Sequence, residues 1–343
     1  MDDDTHIYHY TSIDEEEDIR VLQLKPATSF SDPLVASLFV RKLYDSLEAP
    51  GHPLPPYHCV SYCWGTQHDM KYMTCDNRRM QITGSVDIML RYLRKALVPQ
   101  NVWVDAICIN QNDNAEKAKH VRAMGTIYQQ AEKVHVWLGP ASADDQIGSV
   151  FAALKRWALS SFDRYPVFDV EGSHSWMLAP LRNFFARPWF TRRWIIQEVM
   201  LARNAIVHCG PHRLSWSWIR DGVASFQSDY ARNYRFGPCS DIVSIETARA
   251  LKGVGSLGSR ARSRLTILQL LWDHHSSKCE DERDRIFALY GMIPSDSDDN
   301  IEPSSHCPVD YNKHYSAIYT QLTIAAIKQG DALTILNHAI VFG

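Results

Sequence analysis

No run of apolar residues in this 343-residue chain approaches the roughly 18 that a membrane-spanning helix needs, so the sequence offers no transmembrane candidate. The start, with Asp2-Asp3-Asp4 followed by polar residues, lacks the basic and apolar regions of a signal peptide. Charge of one sign is also missing. A net charge of −3 and a pI near 6.6 give no global attraction to nucleic acid or to an anionic membrane, and no nucleic-acid partner is expected. The eight cysteines form no CxxC pair and there is no Asn-x-Ser/Thr sequon, which together favour a reducing, cytoplasmic setting. His208, Cys209 and His212 come close to a metal-ligand cluster. They bracket Gly210-Pro211 at a strand end and turn, however, and nothing supplies a second ligand pair, so no metal site is expected. What remains, at 45% hydrophobic and 22% charged residues, is an ordinary globular composition, enough for one large domain or two smaller ones.

Short strand-like runs alternate with helical spacing over the first two thirds of the chain. The runs are Tyr57–Tyr62, Met80–Thr83, Asn101–Ala106, Lys133–Leu138 and Ala205–His208. Ser85–Leu97 and Ala115–Ala131 carry apolar residues at helical intervals between them. This pattern predicts an α/β fold, a flavodoxin-like parallel sheet of about five strands with flanking helices, in which ligands sit beyond the carboxyl ends of the strands. Those ends carry Ser61-Tyr62-Cys63-Trp64-Gly65 and, from Val104-Asp105 inside an apolar run, Ala106-Ile107-Cys108-Ile109-Asn110-Gln111. The second group is either a polar binding cluster or an Asp105 that caps a loop, with Asn110 and Gln111 building a turn.

Beyond about residue 212 the strand signal fades. A domain over residues 1–215 and a mainly helical extension over 216–343 are expected. The Gly-, Ser- and Arg-rich stretch 249–264 reads as a mobile basic loop, and its G-x-G-x-x-G match at Gly253–Gly258 follows no strand and is no dinucleotide fingerprint. The mixed charges of Asp281–Arg285 suggest an ion-pair network that holds the extension to the sheet domain. The end in Ala339-Ile340-Val341-Phe342 is unusual for a natural terminus and suggests a sequence cut short.

The most informative segment is Arg187–Leu201, which places one carboxylate in an otherwise apolar helix. Thr191 is the expected N-cap, Trp194 and Glu198 are i and i+4 on one face, and Ile195, Ile196, Val199, Met200 and Leu201 leave little of the circumference polar. A buried Glu198 is either a core ion pair with an Arg or Lys, or a group put to use.

Tyr57–Gly65 resembles the opening motif of the fungal heterokaryon-incompatibility (HET) domain family, Asn101–Gln111 continuing through Val136-Trp137-Leu138-Gly139 resembles its second, and Arg187–Ala202 resembles its third. Weaker echoes occur in Ile19–Leu24, in Asp281–Gly291 and in Asp310-Tyr311, so the resemblance spans nearly the whole chain. One departure is His120-Val121, where the family usually has Gln-Val. The resemblance implies a fungal protein of self/non-self recognition, an innate-immunity-type system in which activation triggers regulated cell death. Val60-Ser61-Tyr62 and Trp194-x-x-x-Glu198 are also similar to Toll/interleukin-1 receptor (TIR) segments, whose Glu supports NAD cleavage in the enzymatic members.

Two readings follow from the resemblance. In the first the protein hydrolyses NAD at the nicotinamide–ribose bond, with Glu198 and Asp105 as the catalytic carboxylates facing a shared cleft. The leaving group departs from a cationic ring, so one carboxylate that stabilises the oxocarbenium-like state suffices. Ser61, Tyr62, Trp64, Gly65, Asn110, Gln111, Arg187, Arg193 and Trp194 would then bind substrate, the aromatic rings by stacking on a base and the arginines by meeting the pyrophosphate; the tryptophans read equally as core. In the second reading the chain is a non-catalytic death-signalling module. In the first, self-association gates activity by ordering Ala141–Gln146 or residues 249–264; in the second, the module works by oligomerising or recruiting a partner. The expected partners are a second copy, an incompatibility partner or an NLR-type protein.

Overall fold

The computed structural model describes residues 6–13, 17–43, 55–65, 69–160, 175–233, 266–293 and 307–342. The stretch 249–264 lies outside the described residues. The chain divides into two compact units. The first comprises residues 1–120, 129–147 and 202–216, the second 121–128, 148–201 and 217–343.

The first unit holds one nine-stranded mixed sheet. Its strands are β1 (Asp18–Leu24), β2 (Val35–Lys42), β3 (His58–Tyr62), β4 (Met70–Cys75), β5 (Arg78–Thr83), β6 (Gln100–Trp103), β7 (Lys133–Trp137), β8 (Ala205–Cys209) and β9 (His212–Ser215), in the spatial order β5-β4-β2-β1-β6-β3-β7-β8-β9. The α/β class read from the sequence is therefore right and the sheet of about five parallel strands is not. Strands β6, β3, β7 and β8 form a contiguous parallel block, and β2 and β4 make a separate parallel pair. Met80–Thr83 instead pairs antiparallel with β4 across a two-residue turn, Asp76-Asn77, whose φ angles of 50° and 62° suit these two residue types. One face of the parallel block is apolar and sealed: Cys59, Val134, Val136 and Val207, all fully buried, stand in line across it through the registers Cys59↔Val134 and Val136↔Val207.

Three helices belong largely to this unit. Helix α1 (Gly84–Leu93) starts at Thr83, whose hydroxyl accepts from Val86 N. It ends sooner than the apolar spacing to Leu97 predicts, because Arg94 turns to extended backbone and spends its side chain on the carbonyls of Ser29, Phe30, Asp32 and Pro33; Leu97 is left 84% exposed. Helix α2 (Asp105–Cys108) cuts short the strand expected to run to Ala106. The Val104 carbonyl accepts from Ile107 N and Cys108 N, so Asp105 opens a helix rather than sitting within a strand. Helix α3 (Asn114–Gln130) matches its predicted span closely and contributes residues 121–128 to the second unit. Ala141–Gln146, expected to lack a fixed backbone, forms a 3-10 turn closed by a capping box between Ser142 and Asp145.

The second unit is helical among its described residues, with α4 (Ile147–Ser160), α5 (Ser175–Phe185), α6 (Ile195–Met200), α7 (Trp216–Asn233), α8 (Ile267–Asp273), α9 (Asp284–Phe287), α10 (Tyr315–Lys328) and α11 (Ala332–Phe342). Helices α4 and α7 approach so closely that a Cβ on Gly222 would lie 2.3 Å from the Leu154 carbonyl oxygen, and only glycine fits there. Phe151, Phe184, Phe185, Trp189 and Phe190 stack edge to face beside them. No described helix is long and apolar enough to cross a membrane.

Candidate functional site

The sequence-predicted residues fall into two groups, one in each unit. In the first unit the chain leaves β3 at Tyr62 and passes through Cys63-Trp64-Gly65 over the start of α1. Ser85 Oγ donates to the Cys63 carbonyl at 3.0 Å and Thr83 Oγ1 to the Trp64 carbonyl at 3.3 Å. Gly65 takes φ +75°, and a Cβ there would come within 3.0 Å of Ser85 Cβ, so the turn has room for glycine alone. Thus held, Trp64 points its indole Nε1 at Asp105 Oδ2, 3.0 Å away, across the carboxyl ends of the paired strands β3 and β6. The other carboxylate oxygen of Asp105 accepts from Ala106 N at 2.7 Å, and its main-chain carbonyl accepts from Gln111 Nε2 at 2.9 Å.

A buried ion pair fixes this cluster from behind. Arg20, on β1 and 2% exposed, donates through Nη1 to Glu116 Oε1 at 2.5 Å and through Nη2 to Glu116 Oε2 at 3.1 Å. Arg20 also reaches the Cys108 carbonyl, while Glu116 Oε1 accepts from Asn110 N at 2.7 Å. The pair therefore ties together the turn that carries Asn110 and Gln111. Trp64, Gly65, Asp105 and Gln111 form one half-exposed polar corner; Asn110 turns its side chain to Asn112 N within its own loop. Ser61 and Tyr62 are 1% and 2% exposed and lie within the sheet, not on this surface.

In the second unit the helix around Glu198 starts later than its sequence suggests. Pro188–Thr191 is a 3-10 turn preceded by Arg187, and the Thr191 hydroxyl donates back to the Pro188 carbonyl instead of capping a helix. Helix α6 begins only at Ile195, with Trp194 as its cap residue. Trp194 Nε1 donates to Asp284 Oδ2 at 3.0 Å, and Tyr311 Oη to Asp284 Oδ1 at 2.7 Å. Arg193 N donates to the Lys278 carbonyl, and its guanidinium Nη1 to the His274 carbonyl at 2.7 Å and Ser277 Oγ at 3.2 Å. Glu198 is 2% exposed with Arg192 Nη1 at 3.9 Å from its Oε2. Of the two alternatives open for this carboxylate, the geometry has the features of a core ion pair. The charges of the Asp281–Arg285 segment pair with one another, Arg283 with Asp281 and Arg285 with Glu282, and Arg283 also reaches the Tyr311 carbonyl.

Sequence reasoning missed a row of three histidines on the parallel block. His135 Nε2 meets His58 Nδ1 at 2.9 Å, and His135 Nδ1 meets His208 Nε2 at 2.9 Å. Glu132 stands at the end of the row, 3.7 Å from His58 Nε2. Each histidine lies two residues further along its strand than its neighbour, a diagonal set by the registers Val60↔His135 and Trp137↔His208. Burial pushes all three imidazoles below their ordinary value. His208 comes down to about 4, with Arg213 adding to the effect, and His135 to about 2, with its two histidine neighbours adding to it. At neutral pH the row is an uncharged hydrogen-bonded chain. Each could have been noticed as a polar side chain set within an apolar run.

Among known proteins, residues 57–198 match the family described as "Heterokaryon incompatibility protein (HET)", a span that opens at the first residue of the first motif and closes at Glu198. It is narrower than the nearly full-length resemblance read from the motifs. A Neurospora crassa protein, "Heterokaryon incompatibility protein 6, OR allele", is 31% identical over 250 residues, which cover 60% of this chain and 35% of that protein. The chain thus spans about a third of the length of the curated relative it matches. No solved structure matches.

Proposed function

We propose that this chain, whose residues 57–198 match the heterokaryon incompatibility (HET) family, acts in fungal self/non-self recognition as a module whose activation leads to regulated cell death, and that it signals through contacts rather than by consuming a nucleotide. The observation that carries the second half is the enclosure of Glu198. A carboxylate that stabilises a developing cation must touch the reacting sugar, and one that is 2% exposed beside Arg192 is occupied with the protein itself. The third motif then serves to build the second unit, while the Trp64–Asp105 corner is the surface the first two motifs present.

NAD cleavage is the second reading, favoured by that same corner: a half-exposed indole against a carboxylate at the carboxyl ends of two parallel strands is where an α/β sheet takes ligands. Nicotinamide release from NAD and NADP by the purified chain, measured over a range of protein concentrations and alongside killing in a fungal host, separates the two. Signalling predicts killing without release. It also predicts that Asp105→Asn or Trp64→Ala weakens killing, with the fold retained. Release that is lost in Glu198→Gln, with the protein still folded, overturns the signalling mechanism in favour of the enzyme.

A further inference from the structure

The second unit contains a cavity of about 500 Å³ whose wall combines an apolar body with a buried, incompletely bonded cation. Leu268 and Trp272 of α8, Ile286 of α9, Leu322 of α10 and Ile335 of α11 supply the apolar surface, and Arg193, Arg285 and Tyr319 supply polar groups; among the described residues the lining includes no carboxylate. The volume falls within the range of small-molecule sites.

Arg193 is the decisive residue. It is 1% exposed, and among the described residues no carboxylate comes within ion-pair distance of it. Nη1 is spent on the His274 carbonyl and Ser277 Oγ, but Nε is buried and has no hydrogen-bond partner among the described residues. Burial and the neighbouring Arg285 push its pKa down to about 10, which still leaves it cationic at neutral pH. A guanidinium in this condition is costly unless an anion completes it. Arg285, by contrast, already meets Glu282 at 2.8 Å and is half-exposed, so the wall has one uncompensated positive charge. A single charge calls for a monoanion rather than the pyrophosphate that the sequence suggested for Arg193. A carboxylate is the monoanion whose two oxygens match the guanidinium fork.

We propose that this cavity binds an amphipathic carboxylate, a medium-chain acyl acid in shape, with its head on Arg193 and its apolar chain between α8, α9, α10 and α11. The site is independent of the signalling reading, and it replaces the pyrophosphate contact that the NAD reading gave to Arg193.

The test is isothermal titration calorimetry of the full chain with octanoate, octanol and octyl phosphate. Octanoate binds saturably and octanol about ten-fold more weakly or worse, the loss expected for one hydrogen bond to a charged partner. Arg193→Met, checked by circular dichroism, abolishes the preference of octanoate over octanol. Leu271→Trp, which fills the cavity from its half-buried rim and leaves the guanidinium in place, abolishes binding of both and serves if the arginine variant does not fold. Absence of octanoate binding by the unmodified chain, or wild-type affinity in Leu271→Trp, overturns the site. Tighter binding of octyl phosphate than of octanoate overturns the choice of head group.

Discussion

Arg20 is one side chain on which the arrangement of a distant loop depends. It enters from β1, is buried with Glu116, and through that partner fixes the Asn110 backbone and the corner at Asp105. Removing one member of such a pair strands the other in the interior, whereas replacing both with apolar groups removes the problem. Arg20→Met is therefore expected to lower stability by about 3–5 kcal/mol, and Arg20→Met with Glu116→Leu to recover most of that loss, both read from denaturant midpoints at constant slope. The sequence shows why this pair is hard to see in advance. Arg20 stands out as a charge inside Ile19-Arg20-Val21-Leu22, but its partner lies 96 residues away and only the fold brings them together. Glu198 was legible as a buried carboxylate, because helical spacing is local. Its partner Arg192 was not, because the chain between them does not form the single helix that Thr191 seemed to cap.

At the level of strands and helices, the same contrast between local and distant information decides what could be read. The four strands of the parallel block announce themselves by short apolar runs bounded by turns. The strands β4 and β9 carry polar residues on their exposed sides, and β1 and β2 interrupt their apolar residues with Arg20, Gln23, Ser37 and Arg41, so none of the four does so. The Asp76-Asn77 turn was the available signal for β4. Asn77 sits at φ 62°, so Asn77→Ala should cost about 1–2 kcal/mol in the same unfolding assay while Asn77→Gly costs little or nothing. The histidine row makes a further prediction. Folded His208 titrates near 4 and His135 near 2, against about 6.5 in the unfolded chain, with His58 shifted the same way. Below pH 6.5 the unfolded state thus binds more protons, so stability falls as the pH drops from 6.5 towards 4, by about 1.4 kcal/mol per pH unit for each proton involved. Above pH 6.5 both states are neutral at these sites and the row adds no slope. Lys95, Lys133 and Arg213 around it act in the same direction and Glu132 opposes them at His58. Denaturation curves from pH 7.5 to 4 check this, and His208→Phe should shed one proton's worth of the slope.

Across the whole molecule, the helical character of the later chain was legible from spacing, and Tyr315–Lys328 forms the helix its pattern predicts. The composition of the two compact units was not, because residues 121–128 of α3 and the segment 148–201 join the second through packing that no local pattern encodes. Cysteine chemistry belongs to this scale as well. The seven described cysteines are thiols outside any disulfide; Cys59, Cys75, Cys108, Cys209 and Cys307 are buried, and burial pushes Cys75 and Cys108 up to about 12. These five are expected to stay unmodified by a thiol reagent in the native chain and to react only on unfolding, with Cys63 and Cys279 labelled first among the seven; peptide mapping after timed alkylation checks it.

The two outermost strands of the sheet have a consequence for how copies of the chain can meet. An open strand flank is a template on which another molecule can hydrogen-bond its own backbone, and nature blunts it with charge, brevity or a covering segment. Here β5 begins with exposed Arg78 and Arg79, Ile7 bridges to Arg79, and Tyr8 N donates to the Arg79 carbonyl; at the other end β9 has only four residues, two of them the exposed His212 and Arg213. Both flanks are thus guarded against runaway sheet growth. Strand addition at either flank is disfavoured, so a partner that meets this sheet is expected to read side chains and not backbone.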